Sequence, residues 1–131
     1  MRNAPRTAAL ALALILPAAA NAAALGLRFT WAGTAACSTT PPAFAISNIP
    51  KETKYLDFRL TDLDAPHYLH GGGEIAYSGS GDIPAGAFDG AYNGPCPPGG
   101  TRHSYVWTVR ALDANRKVIA EGKATGRFPP G

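Results

Sequence analysis

The strand pattern of this chain is clearest in residues 104–112, which read S-Y-V-W-T-V-R-A-L. Successive side chains of a strand point to opposite faces, so alternation with a period of two is typical of a strand with one buried side. The pattern therefore predicts a strand here, with Trp107 as a core residue. The side chains of the predicted inner face are Tyr105, Trp107, Val109 and Ala111.

Five further segments carry alternating, β-branched or aromatic side chains, and each is bounded by Gly, Pro, Asn or Asp. The 15 Gly and 12 Pro residues of the chain supply turns between them. No segment beyond residue 22 shows a helical period. Short strands separated by turns predict a mainly β fold, an antiparallel β-sandwich or barrel. The five segments are Leu25 to Trp31, Ala43 to Ile49, Tyr55 to Thr61, Glu74 to Tyr77 and Lys117 to Thr125.

The N-terminus has the features of a secretion signal. Two arginines precede an apolar run over residues 8–16, and Ala20-Asn21-Ala22 matches the small-x-small pattern of a cleavage site. The run is shorter than the roughly 20 apolar residues of a membrane span. We therefore predict a signal peptide over residues 1–22 that is removed, and a single periplasmic or secreted domain over residues 23–131 with no transmembrane segment. An uncleaved anchor is the alternative.

The charge of the chain gives no sign of a nucleic-acid partner. Lys and Arg number 12 against 9 Asp and Glu, a formal net charge of +3. Two of these arginines belong to the predicted signal peptide, and no basic cluster remains after cleavage. Because binding to a phosphate backbone depends on such clusters, we predict no nucleic-acid partner.

The two cysteines, Cys37 and Cys96, permit one intramolecular disulfide. Export to an oxidising compartment favours it, and closing the loop between them would stabilise the fold by about 4 kcal/mol on the chain-entropy model. Two unpaired thiols or metal ligands are the alternative. Neither cysteine belongs to a C-x-x-C pair, so a redox or zinc role has no support.

Polar side chains gather in two places where predicted strands end. The first is Thr61-Asp62-Leu63-Asp64-Ala65-Pro66, followed by His70 in a Gly-flanked loop that we expect to be flexible. The second is a Pro- and Gly-rich loop, residues 94–102, that leads to His103 and Tyr105. These two residues alternate along the strand and so point to the same face. An imidazole beside a phenolic hydroxyl suits an anion with several oxygens, such as phosphate.

Three stretches together resemble the phosphatidylethanolamine-binding proteins, also called Raf-kinase-inhibitor-like proteins, in their bacterial form. Residues 94–113, G-P-C-P-P-G-G-T-R-H-S-Y-V-W-T-V-R-A-L-D, closely resemble the second conserved block of that family. Residues 61–66, T-D-L-D-A-P, are similar to its D-P-D-A-P block, and residues 37–44, C-S-T-T-P-P-A-F, to its C-x-G-x-x-x-S-P segment. The resemblance extends over about Leu25 to Gly126, nearly all of the predicted mature chain.

The resemblance implies an antiparallel β-sandwich, here without the C-terminal helical region common in the family. It also implies a shallow pocket for phosphate-like, phosphoethanolamine-like or carboxylate groups, with no cofactor. Because Asp62 would favour imidazolium on a neighbouring histidine, anion binding should tighten as the pH falls from about 8 to about 6. Matched position by position, the pocket residues are Asp62, His70, Pro97, Pro98, His103 and Tyr105.

Other interpretations of the same residues stay open at this point. Asp62 and Asp64 are also typical turn caps, and His67 and Arg102 are expected to be exposed. The aspartates and the histidines supply enough oxygen and nitrogen ligands for zinc or copper. A protein-interaction module, for instance an inhibitor of a kinase or protease with a vestigial pocket, is a further alternative.

An enzyme is the interpretation that the sequence favours least. The turn His70-Gly71-Gly72-Gly73 is similar to the oxyanion-hole turn of esterases. That chemistry also needs a G-x-S-x-G nucleophile on a parallel sheet, and the sequence contains no such motif. We therefore predict a binding protein without catalytic residues.

Overall fold

The computed structural model of the chain describes residues 3–5, 7–9, 11, 23–88 and 91–131. The predicted cleavage site after Ala22 lies outside these residues, as does most of the predicted signal peptide over residues 1–22, so both stay predictions. The described part of the chain contains no helix and therefore no helical segment that could cross a membrane.

The described strands form two sheets, which confirms the predicted mainly β fold. The larger sheet has the strand order β1-β8-β7-β4-β5 and the smaller one the order β2-β3-β6. All neighbouring strands are antiparallel except β1, which runs parallel to β8. The strands are β1 Ala23–Ala24, β2 Gly26–Phe29, β3 Phe44–Ser47, β4 Tyr55–Asp62, β5 Gly72–Ala76, β6 Asp82–Ile83, β7 His103–Leu112 and β8 Val118–Phe128.

Each of the six predicted segments contains a strand, although the bounds differ by up to three residues at either end. The sequence did not predict β1 and β6, because each has two residues and a period of two cannot be recognised over so short a segment. The last strand, β8, is longer than predicted and ends in the buried side chain of Phe128.

The core lies between the two sheets and is centred on the pairing of β4 with β7. Phe58, Trp107 and Val109 are fully buried on the inner face of the larger sheet. Phe44 of β3 covers them, with its ring centroid 4.9 Å from that of Phe58 and 5.0 Å from that of Trp107. Full burial of one such side chain contributes about 1.5–3 kcal/mol, so this cluster holds the sheets together.

In the register of β4 and β7, the inner face of the sheet continues to the end of the pair where the polar residues lie. Leu60 lies opposite Trp107, and Asp62 lies opposite Tyr105. Asp62 occupies the next inward position after Leu56, Phe58 and Leu60, because inward positions recur every second residue. The fold thus places an aspartate where the apolar face of the sheet ends.

Candidate functional site

A cavity of about 280 Å³ lies at this polar end of the β4–β7 pair. All six residues predicted for the pocket border it, although they come from three separate stretches of the sequence. The lining residues are Asp62, Ala65, Tyr68, His70, Cys96, Pro97, Pro98, His103 and Tyr105.

Asp62 is the central acid of the cavity and uses both carboxylate oxygens. Its Oδ1 accepts hydrogen bonds from the backbone amides of Asp64 at 2.9 Å and Ala65 at 3.1 Å, which closes the turn after β4. Its Oδ2 accepts a hydrogen bond from His103 Nδ1 at 2.6 Å. Asp62 is therefore both a turn cap and a residue of the cavity.

The pKa of Asp62 is lower than the usual aspartate value, although burial of its side chain acts in the opposite direction. The hydrogen bond and charge of His103 outweigh that burial, together with the amides of Asp64 and Ala65. Asp62 is therefore ionised at neutral pH and acts as an acceptor.

Tyr105 forms the floor of the cavity. Its side chain is fully buried, and its ring stacks against that of His103 with the centroids 6.2 Å apart. Burial and the negative charge of Asp62 raise the pKa of the Tyr105 phenol, so the hydroxyl keeps its hydrogen. No hydrogen bond of ordinary geometry joins this hydroxyl to a described residue, although Asp62 lies close enough to act on it as an acceptor.

His70 also lines the cavity and is buried, with 2 % of its surface exposed. Its Nδ1 is 2.7 Å from the carbonyl oxygen of Asn93, and its ring meets that of Tyr105 edge to face. Its other nitrogen, Nε2, is 3.9 Å from Asp62 Oδ2, too far for a hydrogen bond. Nε2 has no partner in the part of the chain that the structure describes.

The prediction that His70 lies in a flexible loop is wrong, because the glycines after it are held tightly. Gly71 has a φ of 70° and bridges to Tyr92, and a side chain there would collide with the Ala91 backbone. Gly72 begins β5 and is packed against the Phe58 backbone. Only glycine combines this backbone conformation with so close an approach, so these residues fix His70 in place.

The disulfide and two prolines form the rim of the cavity. Cys37 and Cys96 are joined, as predicted, with their Cα atoms 4.5 Å apart. The Cys37 amide also donates to the Pro95 carbonyl at 2.8 Å, which ties the rim loop to residue 37. Pro97 and Pro98 follow directly and border the cavity.

Comparison with solved structures identifies the architecture. A structure described as a phosphatidylethanolamine-binding protein (PEBP) homolog from Chlamydia trachomatis matches with a TM-score of 0.60 and 18 % identity, over 82 % of this chain and 99 % of its own. YbcL of E. coli, described as a member of the mammalian PEBP family, matches with a TM-score of 0.53 and 19 % identity, over 69 % and 80 %. The chain has the PEBP fold. Comparison of the sequence with protein-family models and with curated proteins gives no match.

The PEBP fold brings further residues to the cavity that the sequence analysis did not single out. Tyr68 and Ala65 line it, and Asn93 orients His70 from outside. Tyr68 was recognisable in principle, because a large aromatic residue within a polar turn is unusual. Asn93 had no local signal, since it acts through its backbone carbonyl.

Several residues near the cavity have structural roles or are exposed. Asp64 accepts a hydrogen bond from the Ser104 amide at 2.7 Å, which joins the turn after β4 to the start of β7. His67 and Arg102 are exposed, as expected, and do not line the cavity. Asp64 therefore belongs to the scaffold of the site.

The one cluster of potential metal ligands found among the described residues is Asp62, Asp64 and His103, with ligand atoms within 4.8 Å of one another. Both Asp62 oxygens already accept hydrogen bonds, and the nearest His103 nitrogen donates one of them. An ion held by His103 Nδ1 would displace the hydrogen that this nitrogen donates to Asp62, so the geometry gives the zinc or copper alternative no support.

Proposed function

We propose that this chain is an exported ligand-binding protein of the PEBP family, which holds a small phosphate-like or carboxylate anion in the cavity described above. The fold supports membership of the family, and the conjunction of Asp62, His70, His103 and Tyr105 supports the binding role. Pro97 and Pro98 shape the rim through which the ligand enters.

One observation carries this proposal: the cavity wall contains two buried polar atoms, His70 Nε2 and Tyr105 Oη, that lack partners among the described residues. A buried polar group without a hydrogen bond costs about 1–3 kcal/mol. A ligand oxygen that met both atoms would offset this cost.

The experiment that tests this proposal is calorimetric titration with inorganic phosphate and with O-phosphoethanolamine at pH 6 and pH 8. We expect tighter binding at pH 6, because histidine gains a hydrogen in this range and then donates to an anion. Tyr105→Phe should weaken binding by about tenfold through the loss of one hydrogen bond to a charged group. Equal or weaker binding at pH 6 would contradict the part that histidine plays in this account, and no binding of either ligand at either pH would contradict the proposed binding function itself.

Tyr92→Phe is the matched control. Tyr92 is also buried and its hydroxyl also lacks a partner among the described residues, but it does not line the cavity. Its variant should bind phosphate as the unchanged protein does.

Export is a second part of the proposal, supported by the N-terminal sequence and by the disulfide, which persists in oxidising compartments. The mass of the protein recovered from producing cells tests it. We expect a chain that starts at Ala23 and contains the oxidised Cys37–Cys96 pair. Recovery of the intact chain from Met1 with two reduced thiols would contradict export.

We further propose a binding role without catalysis. The described residues that line the cavity include no serine or threonine, and Cys96 is bound in the disulfide. A free hydroxyl or thiol nucleophile of the serine, threonine or cysteine type is therefore absent from the described cavity lining.

A protein partner is a second candidate, favoured by exposed apolar side chains beside the cavity. Leu63 is 53 % exposed, Tyr68 54 % and Leu69 85 %. If a partner docks there, Leu69→Gln should abolish its capture while Asp62→Ala does not, and Val118→Gln on exposed β8 serves as the control. If Asp62→Ala abolished capture and Leu69→Gln did not, the cavity alone would be responsible for function.

A further inference from the structure

The hydrogen-bond partner of His70 fixes which of its nitrogens carries a hydrogen. Nδ1 lies 2.7 Å from the Asn93 carbonyl oxygen, and a carbonyl oxygen can only accept. The hydrogen of this pair therefore belongs to Nδ1. A neutral imidazole has a single N–H, so neutral His70 presents a lone pair at Nε2.

His103 is constrained in the same way. Its Nδ1 donates to Oδ2 of the ionised Asp62 at 2.6 Å, so its neutral form also lacks a hydrogen on Nε2. When both imidazoles are neutral, the Tyr105 hydroxyl is the one buried side-chain group described in the cavity wall that has a hydrogen to donate to a ligand. A fully ionised oxyanion meets too few donors.

The charged and titratable groups around His70 add to this shortage of donors for an oxyanion. Asp62 Oδ2 lies 3.9 Å from Nε2, and the rings of Tyr68 and Tyr105 lie 4.5 Å and 5.4 Å from the imidazole. Arg59 borders a separate groove on the other side of His70, and Tyr92 lies beside the backbone of Gly71. No lysine or arginine is among the described residues that line the cavity.

We propose that His70 is the specificity-determining residue of the cavity and that each oxyanion binds together with one proton, shared between a ligand oxygen and Nε2. This inference rests on the proposed function and adds a stoichiometry to it. The proton arrives from solvent on His70, or with a ligand that is itself protonated, such as the monoanion of a phosphomonoester. Above the pH range in which histidine ionises, affinity for a permanently charged oxyanion falls by up to about tenfold per pH unit.

Proton uptake on binding is the direct test. Titration with inorganic phosphate and with sulfate at pH 8, each in two buffers with different enthalpies of ionisation, gives the number of protons taken up. We expect about one proton per anion for both probes. Binding with no proton uptake overturns this inference but leaves the proposed function intact, whereas no binding of either anion at any pH overturns both.

His70→Gln offers an independent test, because the glutamine amide donates at every pH from about the position of Nε2. We expect sulfate binding by this variant to be independent of pH between 6.0 and 8.5. At pH 8.5 it should be at least about tenfold tighter than in the unchanged protein. A variant that keeps the original pH dependence overturns the inference.

Two control variants separate His70 from the other histidines. His67→Gln changes an exposed residue outside the cavity and should leave both affinity and pH dependence unchanged. His103→Asn keeps an amide N–H near the position of Nδ1 and should weaken binding while the pH dependence persists. If His70→Gln does not fold, proton uptake by the unchanged protein decides the question.

Discussion

At the middle of the β4–β7 pair, Phe58 lies opposite Val109 and both are fully buried, whereas at the end of the same face Asp62 lies opposite Tyr105 and borders the cavity. The two regions share strands, register and inward direction. They differ in what covers them. Phe44 of the smaller sheet covers the middle, while loops carrying Tyr68 and Pro97 cover the end.

This difference explains how one face of the larger sheet can contain both the core and the proposed binding site. Interdigitated rings fill the space between two sheets and exclude polar groups. Loops cover the end of the face and leave a cavity of about 280 Å³ there, so the polar side chains of Asp62, His70 and Tyr105 are buried but lie beside open space. The predictions below test whether the middle of the face is responsible for stability and its end for binding.

The largest effect is expected in the middle of the face. Trp107→Ala removes a fully buried ring in contact with Phe44 and should lower the free energy of unfolding by about 3–5 kcal/mol. Denaturant unfolding measures this loss. If Trp107→Ala lowered the free energy of unfolding by less than a cavity variant does, the middle of the face would not be the region responsible for stability.

Removing the disulfide at the rim should come next. The crosslink spans a sequence separation of 59 residues, for which the chain-entropy model gives about 4 kcal/mol, and the double variant Cys37→Ser, Cys96→Ser loses it. Thermal unfolding with and without reductant provides the check. Reductant should destabilise the unchanged protein and leave the double variant unaffected; the same response in both would show that the crosslink does not stabilise the domain.

Asp62→Asn should cost about 1–3 kcal/mol, less than either change above. Asp62 accepts hydrogen bonds at both oxygens, and an amide has one oxygen, so either the turn or the bond to His103 is lost. Asp64→Asn is the control, because the one bond recorded for its side chain can be kept by an amide oxygen. Equal losses in the two variants would mean that the His103 bond contributes nothing.

Acid should reduce the difference between the unchanged protein and Asp62→Asn. The pKa of Asp62 is lower in the folded chain than its ordinary value of 3.8, so the unfolded chain binds this proton more tightly. The contribution of the carboxylate is therefore complete above about pH 4 and is lost as the pH falls through the folded pKa. Free energies of unfolding measured from pH 7 to pH 3 should converge for the two proteins, and a constant gap would exclude this linkage.

The smallest loss of stability is expected for Tyr105→Phe, because its hydroxyl lacks a partner among the described residues and its removal relieves the cost of a buried unpaired group. The variant should be as stable as the unchanged protein, or more stable by up to about 3 kcal/mol. The same variant should lose ligand affinity, as proposed above. A large loss of stability with unchanged binding would assign Tyr105 to the core and move the boundary between the two regions.

The sequence predicted the larger sheet well because its central strands alternate over many residues. Residues 104–112 and 55–61 show this pattern, and both form the strands expected of them. Their period also placed Tyr105 and Trp107 on one face. Alternation over this many residues is a property of the sequence, so it can be recognised without knowing what packs against the strand.

The site was predictable in composition but not in geometry. The resemblance named six residues that the structure brings around one cavity, yet the rigidity of His70 was missed. That rigidity comes from the contact of Gly71 with Ala91, 20 positions further along the chain, and from the bond of His70 to the carbonyl of Asn93, 23 positions further along. Such contacts leave no periodic trace, so local patterns cannot reveal them.

The two-residue strand β1 makes the predicted site of processing matter for the fold. Ala23, the first residue after the predicted cut, already pairs with Ala120 of β8. Trimming the new terminus by two residues would remove β1 and leave the outer edge of β8 without a neighbour there. Unpaired edges recruit strands from other molecules, so the precision of the peptidase would help to keep this protein from self-association.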